Sequence, residues 1–299
     1  MNELRLATRR SPLAVAQATS VRERLAALGV ASRLVTLETT GDRQLAASLT
    51  SLGGQGVFAL EVQRAVLVGE ADVAVHSAKD LPSNTPSGVA LVCVPERRDA
   101  SDALVGRSLA GLGPGATVAT GSPRRRALLL ERRPDLHVVD LRGNMARRLA
   151  VAGHDGVDAV VAAVAALERL GATELIAERL DPSWFVPQVG QGALALEVRE
   201  SDEATRAVLA RINDEVALRA LRAERAFLAE LGAGCAVPAG AYAVVRGDLV
   251  RIAGVMVGAD GGLSVRASRE GVDPVAVGAA LARHLRDDRG GAALTGWGA

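Results

Sequence analysis

A chain of 299 residues, 49 % of them hydrophobic, is too long for one ordinary domain and can build two or three sizeable cores. Its net charge of +1 and 2 % aromatic content argue against a general nucleic-acid binder, which needs a basic face and aromatic side chains for stacking. No apolar run reaches the roughly 18 residues that cross a bilayer, and two cysteines (Cys93, Cys235) with four scattered histidines suit neither a disulfide framework nor a metal site.

The opening Met1-Asn2-Glu3-Leu4-Arg5 lacks the apolar segment and cleavage site of a signal peptide, so a cytoplasmic location is expected. Leu4 to Thr8 reads as a strand. Ser11-Pro12 supplies an N-cap and a first-turn proline, and the alanine-rich Leu13 to Leu28 reads as the helix they start. An extended run (Arg33 to Glu38), a Gly-rich loop, a helix near Val57 to Val68 and a strand (Asp72 to His76) complete a β-α-β-α-β half. The charged, glycine-rich Pro95 to Gly115 reads as a hinge. A second half repeats the plan: strand Thr117 to Thr120, Ser122-Pro123, helix Arg124 to Arg132, strand His137 to Leu141, helix Asn144 to Val151 and strand Val157 to Ala162. This alternation predicts mainly parallel sheets flanked by helices. Beyond Gly190-Gln191-Gly192, an amphipathic helix from about Asp214 to Leu231 leads into short strands (Ala241 to Val245, Leu249 to Val257, Leu263 to Ala267) and a helix (Pro274 to Leu285). The expected fold is α/β: two doubly wound βαβ-type domains plus a small α+β third domain with Cys235 in its entering loop.

Open α/β sheets bind ligands beyond the carboxyl ends of their strands. Arg9-Arg10-Ser11, Ser77-Ala78-Lys79-Asp80 and Gly121-Ser122-Pro123-Arg124-Arg125-Arg126 all fall there. Arginines in a first helical turn oppose the helix dipole, which points to an anion that offsets the cost. From Ser122 to Leu149 there are eight arginines, and arginine grips carboxylates in a two-pronged geometry. Arg124, Arg125, Arg142 and Arg148 stand at strand–helix junctions and are read as binding residues; Arg126, Arg132 and Arg133 are read as coating helix faces. Lys79, the chain's one lysine, adjoins Asp80. The pair can be a surface ion pair, which the sequence alone favours, or Asp80 can stabilise a developing cation. Cys235, between glycine and Ala-Val-Pro, can be a small buried hydrophobe or a covalent attachment point; Cys93, in an apolar run, reads as core.

At these residues the chain resembles the porphobilinogen deaminase (hydroxymethylbilane synthase) family. The matching text is Ala7-Thr8-Arg9-Arg10-Ser11-Pro12-Leu13-Ala14, Ala74-Val75-His76-Ser77-Ala78-Lys79-Asp80-Leu81-Pro82, Glu131-Arg132-Arg133-Pro134-Asp135-Leu136, Leu141-Arg142-Gly143-Asn144, Val189-Gly190-Gln191-Gly192-Ala193 and Gly234-Cys235-Ala236-Val237-Pro238, in this order nearly end to end. The resemblance implies two domains similar in fold to type II periplasmic binding proteins (1–95 with about 187–212, and 98–186) and a third (214–299). It implies a dipyrromethane cofactor held by Cys235 through a thioether, four deaminative additions of porphobilinogen, and hydrolytic release of hydroxymethylbilane for porphyrin and heme biosynthesis. It further implies that Asp80 stabilises the azafulvenium cation, with Lys79, Arg9 and Arg169 also catalytic. Ser122, Arg124, Arg125, Arg142 and Gly143 would join Lys79 and Asp80 in binding the cofactor, while Arg9, Ser11, Arg148, Phe58 and Gln191 would touch substrate. The implied partners are porphobilinogen and the growing polypyrrole, with neither nucleic acid nor membrane, and the implied state is a monomer without metal. Gln55 departs from the family, standing where lysine is common.

The competing readings are a two-domain anion-binding module without catalysis, which would need neither Asp80 nor Cys235, and a nucleic-acid binder using the Arg124 to Arg148 cluster.

Overall fold

The computed structural model describes residues 3–38, 57–232 and 237–297. In chain order the strands and helices begin β1 (Leu4–Arg9), α1 (Pro12–Ala27), β2 (Ser32–Leu37), α2 (Val57–Leu67), β3 (Val73–Ser77) and β4 (Val89–Cys93). The middle of the chain forms β5 (Asp102–Val105), β6 (Thr117–Ala119), α3 (Pro123–Arg132), β7 (His137–Val139), α4 (Met145–Ala150), β8 (Ala159–Ala163), α5 (Val164–Arg169) and β9 (Ile176–Leu180). There follow β10 (Leu194–Arg199), α6 (Glu203–Ala210), α7 (Glu215–Glu230), β11 (Ala239–Arg246), β12 (Leu249–Val257), β13 (Ser264–Gly271) and α8 (Pro274–Arg283). These elements form two compact units, Met1–Arg98 with Gly192–Arg219, and Asp99–Gln191 with Ala220–Ala299.

The first unit is built on a five-stranded sheet of order β2-β1-β3-β10-β4. β1 runs parallel to β2 and β3, whereas β10 is antiparallel to β3 and β4. Alternation along β1 decides what covers each face. Leu4 and Leu6 pack with Val73, Val75 and Leu194 against Ala18, Val21 and Leu25 of α1. Ala7 and Ala74 point the other way, and their small size lets α2 sit close through Val62, Ala65 and Val66. Each fully buried leucine or valine contributes about 1.5–3 kcal/mol. As the Ser11-Pro12 signal predicts, α1 starts with Ser11 as N-cap, its Oγ accepting from the Ala14 amide at 3.3 Å. Beyond its C-terminus lies Gly29, at φ +73°, the left-handed position glycine fills at helix ends.

The second unit holds a sheet of order β7-β6-β8-β5-β9. β6 is parallel to β7 and β8, and β5 is antiparallel to β8 and β9. The two sheets thus share one plan, and in each the antiparallel fourth strand comes from a separate pass of the chain: β10 after the second half, β5 before it. The segment expected as a hinge, Pro95 to Gly115, holds the crossing from the first unit to the second at Arg98/Asp99, and its middle forms β5, buried along its whole length. Asp-Ala-Leu-Val is covered on both faces, so it lacks the alternation that betrays a half-buried strand.

The second unit also contains an antiparallel sheet, β11-β12-β13. Its core joins Phe227 and Leu228 of α7 to Val250, Ile252 and Met256 of β12 and to Leu281 of α8. A Cβ at Gly278 would lie 2.0 Å from the Ala223 carbonyl oxygen, so α8 reaches α7 only because that residue is glycine.

Candidate functional site

In the first unit the anticipated residues gather at the carboxyl ends of two adjacent parallel strands. Arg9 ends β1 and Ser11 caps the helix that follows. β3 runs directly into a single 3₁₀ turn, Ala78–Asp80. Ala78 and Leu81 are buried, and the Ala78 amide donates to the Ala193 carbonyl of the adjoining chain at 3.0 Å. Anchored on both sides, the turn leaves Lys79 half-buried and Asp80 exposed. Arg10 instead pairs with Glu38 at 2.7 Å on the surface. Cys93 is fully buried and burial pushes its thiol up to about 12, so it is core, as expected.

In the second unit the equivalent strand ends carry the arginines. Ser122 caps α3, its Oγ accepting from the Arg125 amide at 3.4 Å. A Cβ at Gly121 would meet the Leu141 carbonyl oxygen at 2.6 Å, so glycine there lets the start of α3 approach the Leu141-Arg142 segment. Arg142 is exposed and donates through Nε to Asp140 at 2.9 Å. Gly143 adopts φ +111°, and its carbonyl accepts from Arg148 Nε at 2.9 Å. Arg169, half-buried, ends α5.

Arg124 and Arg125 differ from the expectation. Both are buried, at 2 % and 7 % exposure. Arg124 Nη2 donates to Asp102 Oδ2 at 2.6 Å; Arg125 donates to Oδ1 through Nε (3.1 Å) and Nη2 (2.6 Å). The anion that offsets the unfavourable first-turn charge is therefore Asp102, on β5, rather than a ligand alone. Burial raises the Asp102 pKa, but Arg125 and Arg124, with hydrogen bonds from Arg124 and Gln191, outweigh it and hold the carboxyl well below its ordinary value. Gln191, expected at substrate, is wholly buried, and its amide donates to Asp102 Oδ1 at 2.9 Å and to the Ala100 carbonyl at 2.7 Å. Arg126 and Arg133 do more than coat a helix: Arg126 donates to the Val138 carbonyl, and Arg133 to those of Leu109 and Leu112. Arg132 lies over the Trp184 ring.

One small cavity of this unit, of about 20 Å³, is lined by Ser122, Arg124, Gln188, Val189, Leu228, Val237 and Ala239. It brings two arginine-cluster residues together with Val237, where the described chain resumes two residues after Cys235. Gly240 makes this approach possible, because a Cβ there would fall 2.7 Å from the Val186 and Pro187 carbonyl oxygens and 3.2 Å from Arg124 Cδ. Cys235 and Gln55 themselves, and the side chain of Phe58, lie outside the described residues.

Sequence reading missed three buried acids, Asp102, Glu197 and Glu224, all of them 0 % exposed. Glu224, on α7, accepts from the amides of Gly190 and Ala243, both at 2.8 Å, and so ties the Gly190-Gln191 turn to β11. A single acid inside an apolar stretch, as in Leu194-Ala-Leu-Glu-Val, is the available signal, because a charge tolerates such surroundings only when paired.

Two sheets of one plan, with arginine and lysine at their strand ends, define an α/β protein suited to ligands rich in carboxylates. A family sequence model for "Porphobilinogen deaminase, dipyromethane cofactor binding domain" matches residues 4–207, and one for "Porphobilinogen deaminase, C-terminal domain" matches residues 218–287. The porphobilinogen deaminase of Roseiflexus castenholzii is 43 % identical over 302 residues, covering 99 % of each chain. That of Geobacter sulfurreducens is 42 % identical over 296 residues, covering 97 % of this chain and 93 % of its own. The chain belongs to the porphobilinogen deaminase family, enzymes of tetrapyrrole biosynthesis. A periplasmic substrate-binding protein of an ABC transporter from Coxiella burnetii aligns with 72 % of this chain and 94 % of its own, at 15 % identity and a TM-score of 0.43. Among the described residues no helix is long and apolar enough to cross a membrane, and no cluster of His, Cys, Asp or Glu suits a metal ion.

Proposed function

We propose that this chain joins four porphobilinogens, with loss of ammonia, onto a dipyrromethane primer attached to Cys235 and releases hydroxymethylbilane. The supporting observation is the pocket that Ser122 and Arg124 share with Val237. The donor set fits the group, since each pyrrole ring carries two carboxylates, and hydroxyl and guanidinium groups beside Val237 suit them. When bound, the dipyrromethane supplies the nucleophilic pyrrole carbon to which substrate is joined.

The chain's own residues divide the work. Ser122 holds an acid at the pocket, and Arg124, buried on Asp102 and the Val186 carbonyl, lends it positive potential from the lining. Arg125, committed to Asp102, adds positive potential behind them. Arg142 and Arg148, with Gly143 shaping the turn between them, take the acids of later rings. Arg9, Ser11 and Lys79 do the same in the first unit, and Arg169 assists at the reacting centre. Asp80 faces the cation that remains when ammonia leaves porphobilinogen, where a fixed carboxylate lowers the barrier. The protein acts as a cytoplasmic monomer on small-molecule substrate, without nucleic acid or membrane.

Arg142 gives the test. Its partner Asp140 is more than half exposed, so that ion pair is worth about 0–1 kcal/mol and yields readily to a ligand acid. A charge-assisted bond to that acid contributes about 1.5–3 kcal/mol. Arg142→Leu therefore slows chain growth roughly ten- to hundredfold, read as delayed appearance of successive covalent intermediates by mass spectrometry. An unchanged ladder removes Arg142 from the site.

A further inference from the structure

Beneath the Lys79-Asp80 turn lies a buried polar group that the reaction as described does not use. Glu197 of β10 is fully buried beside the apolar residues that pack α2 onto the sheet. Gln63 of α2 donates its amide to Glu197 Oε2 at 2.8 Å. His76 of β3 places Nε2 3.1 Å from the same oxygen. Both partners are themselves buried, at 1 % and 6 % exposure. One carboxylate oxygen thus accepts a hydrogen bond from the helix and stands within ion-pair distance of the strand that leads to Asp80.

The register makes the link to Asp80 short. In the β3–β10 ladder Ala195 stands opposite His76, Leu194 opposite Ser77, and Glu197 opposite Ala74. The next residue of β10's approach, Ala193, accepts the amide of Ala78, the first residue of the turn. Any shift of β3 against β10 therefore moves the turn. The ladder's hydrogen bonds set the spacing of the two strands, but a one-directional polar contact across the sheet face fixes their relative slide and the height of α2 above them. A carboxylate carried wholly into an apolar layer is costly. A buried ion pair is often no more stabilising than apolar residues filling the same space, which leaves positioning as a role for Glu197.

We propose that Glu197, with His76 and Gln63, is a positioning residue for Asp80, holding the Ala78–Asp80 turn at the height the reaction needs. This rests on the reading of Asp80 as catalytic. The test is a double-mutant cycle on single-turnover addition of porphobilinogen, with Glu197→Gln, Asp80→Glu and the double variant, each checked for cofactor content by intact mass and for folding by thermal melting. Glu197→Gln keeps the shape and replaces one carboxyl oxygen by an amide nitrogen. The expected result is an addition rate at least tenfold lower with KM for porphobilinogen and cofactor content unchanged, and a much smaller loss when Glu197→Gln is added to Asp80→Glu, because the turn is already misplaced for the reaction. Multiplicative effects of the two substitutions, or an unchanged rate in Glu197→Gln, overturn the positioning role. If instead Asp80→Glu alone leaves the rate unchanged, the catalytic reading of Asp80 is what fails. Should Glu197→Gln not fold, Gln63→Met, which removes one donor from the same carboxylate, enters the cycle with the same outcomes.

Discussion

Asp80→Asn lowers turnover roughly 10²–10³-fold while the protein stays folded and keeps its cofactor. The substitution preserves shape and removes one charge, so it separates electrostatics from packing. Under the proposed function, loss of ammonia from porphobilinogen leaves a cation, and a carboxylate facing it acts in the transition state more than in the ground state. Removing a preorganised group of this kind costs roughly 10²–10³-fold in rate. Stability is untouched for a structural reason. Asp80 is exposed, and the turn that bears it is anchored by Ala78 and Leu81 on either side; surface changes of this sort stay within about 0.5 kcal/mol. Steady-state rates with thermal melting and intact mass read all three quantities. A variant within a few-fold of wild-type rate contradicts the assignment.

Asp102→Ala lowers the stability of the second unit by about 3–5 kcal/mol. Asp102 is the common acceptor for Arg124, Arg125 and Gln191, at 2.6 to 3.1 Å, with no solvent exposure. Truncation leaves two guanidiniums and an amide buried without it, and breaking a buried pair on one side costs about 3–5 kcal/mol. The pH dependence has a definite sign. Asp102 has a lowered pKa in the folded state, so its contribution is fully present above the unfolded value, near 3.8, and is lost as pH falls toward the folded value. Urea unfolding followed from pH 7 to pH 3 therefore shows a constant gap between wild type and Asp102→Ala down to about pH 5, narrowing below about pH 4. A gap that widens with acid contradicts the ion-pair account.

The parts of this architecture that were legible in the sequence were those with local signals. Ser11-Pro12 and Ser122-Pro123 announced α1 and α3, and both serines cap their helices as read. The parallel halves followed from alternation of strand and helix. β4, β5, β9 and β10 were not read: β5 and β10 are buried almost throughout and carry no amphipathic period, and β4 and β9 are short edge strands whose partners lie far away in the chain. The same distance hid the site's supports. Asp102 lies 22 and 23 residues from its arginines and 89 from Gln191, so Gln191 looked like a substrate contact when its side chain is spent on that carboxylate. Arginine count was legible; which arginines are already neutralised by the protein's own acids depended on the tertiary fold.

Intact mass of the purified protein, beside a Cys235→Ser control, addresses the central claim most directly. The account predicts that the wild type exceeds its chain mass by two porphobilinogens less their ammonia, and that the control carries no such excess. A wild type that stays unmodified after incubation with porphobilinogen, or an adduct that persists in Cys235→Ser, contradicts the account; the first outcome leaves an anion-binding module without catalysis as the better description.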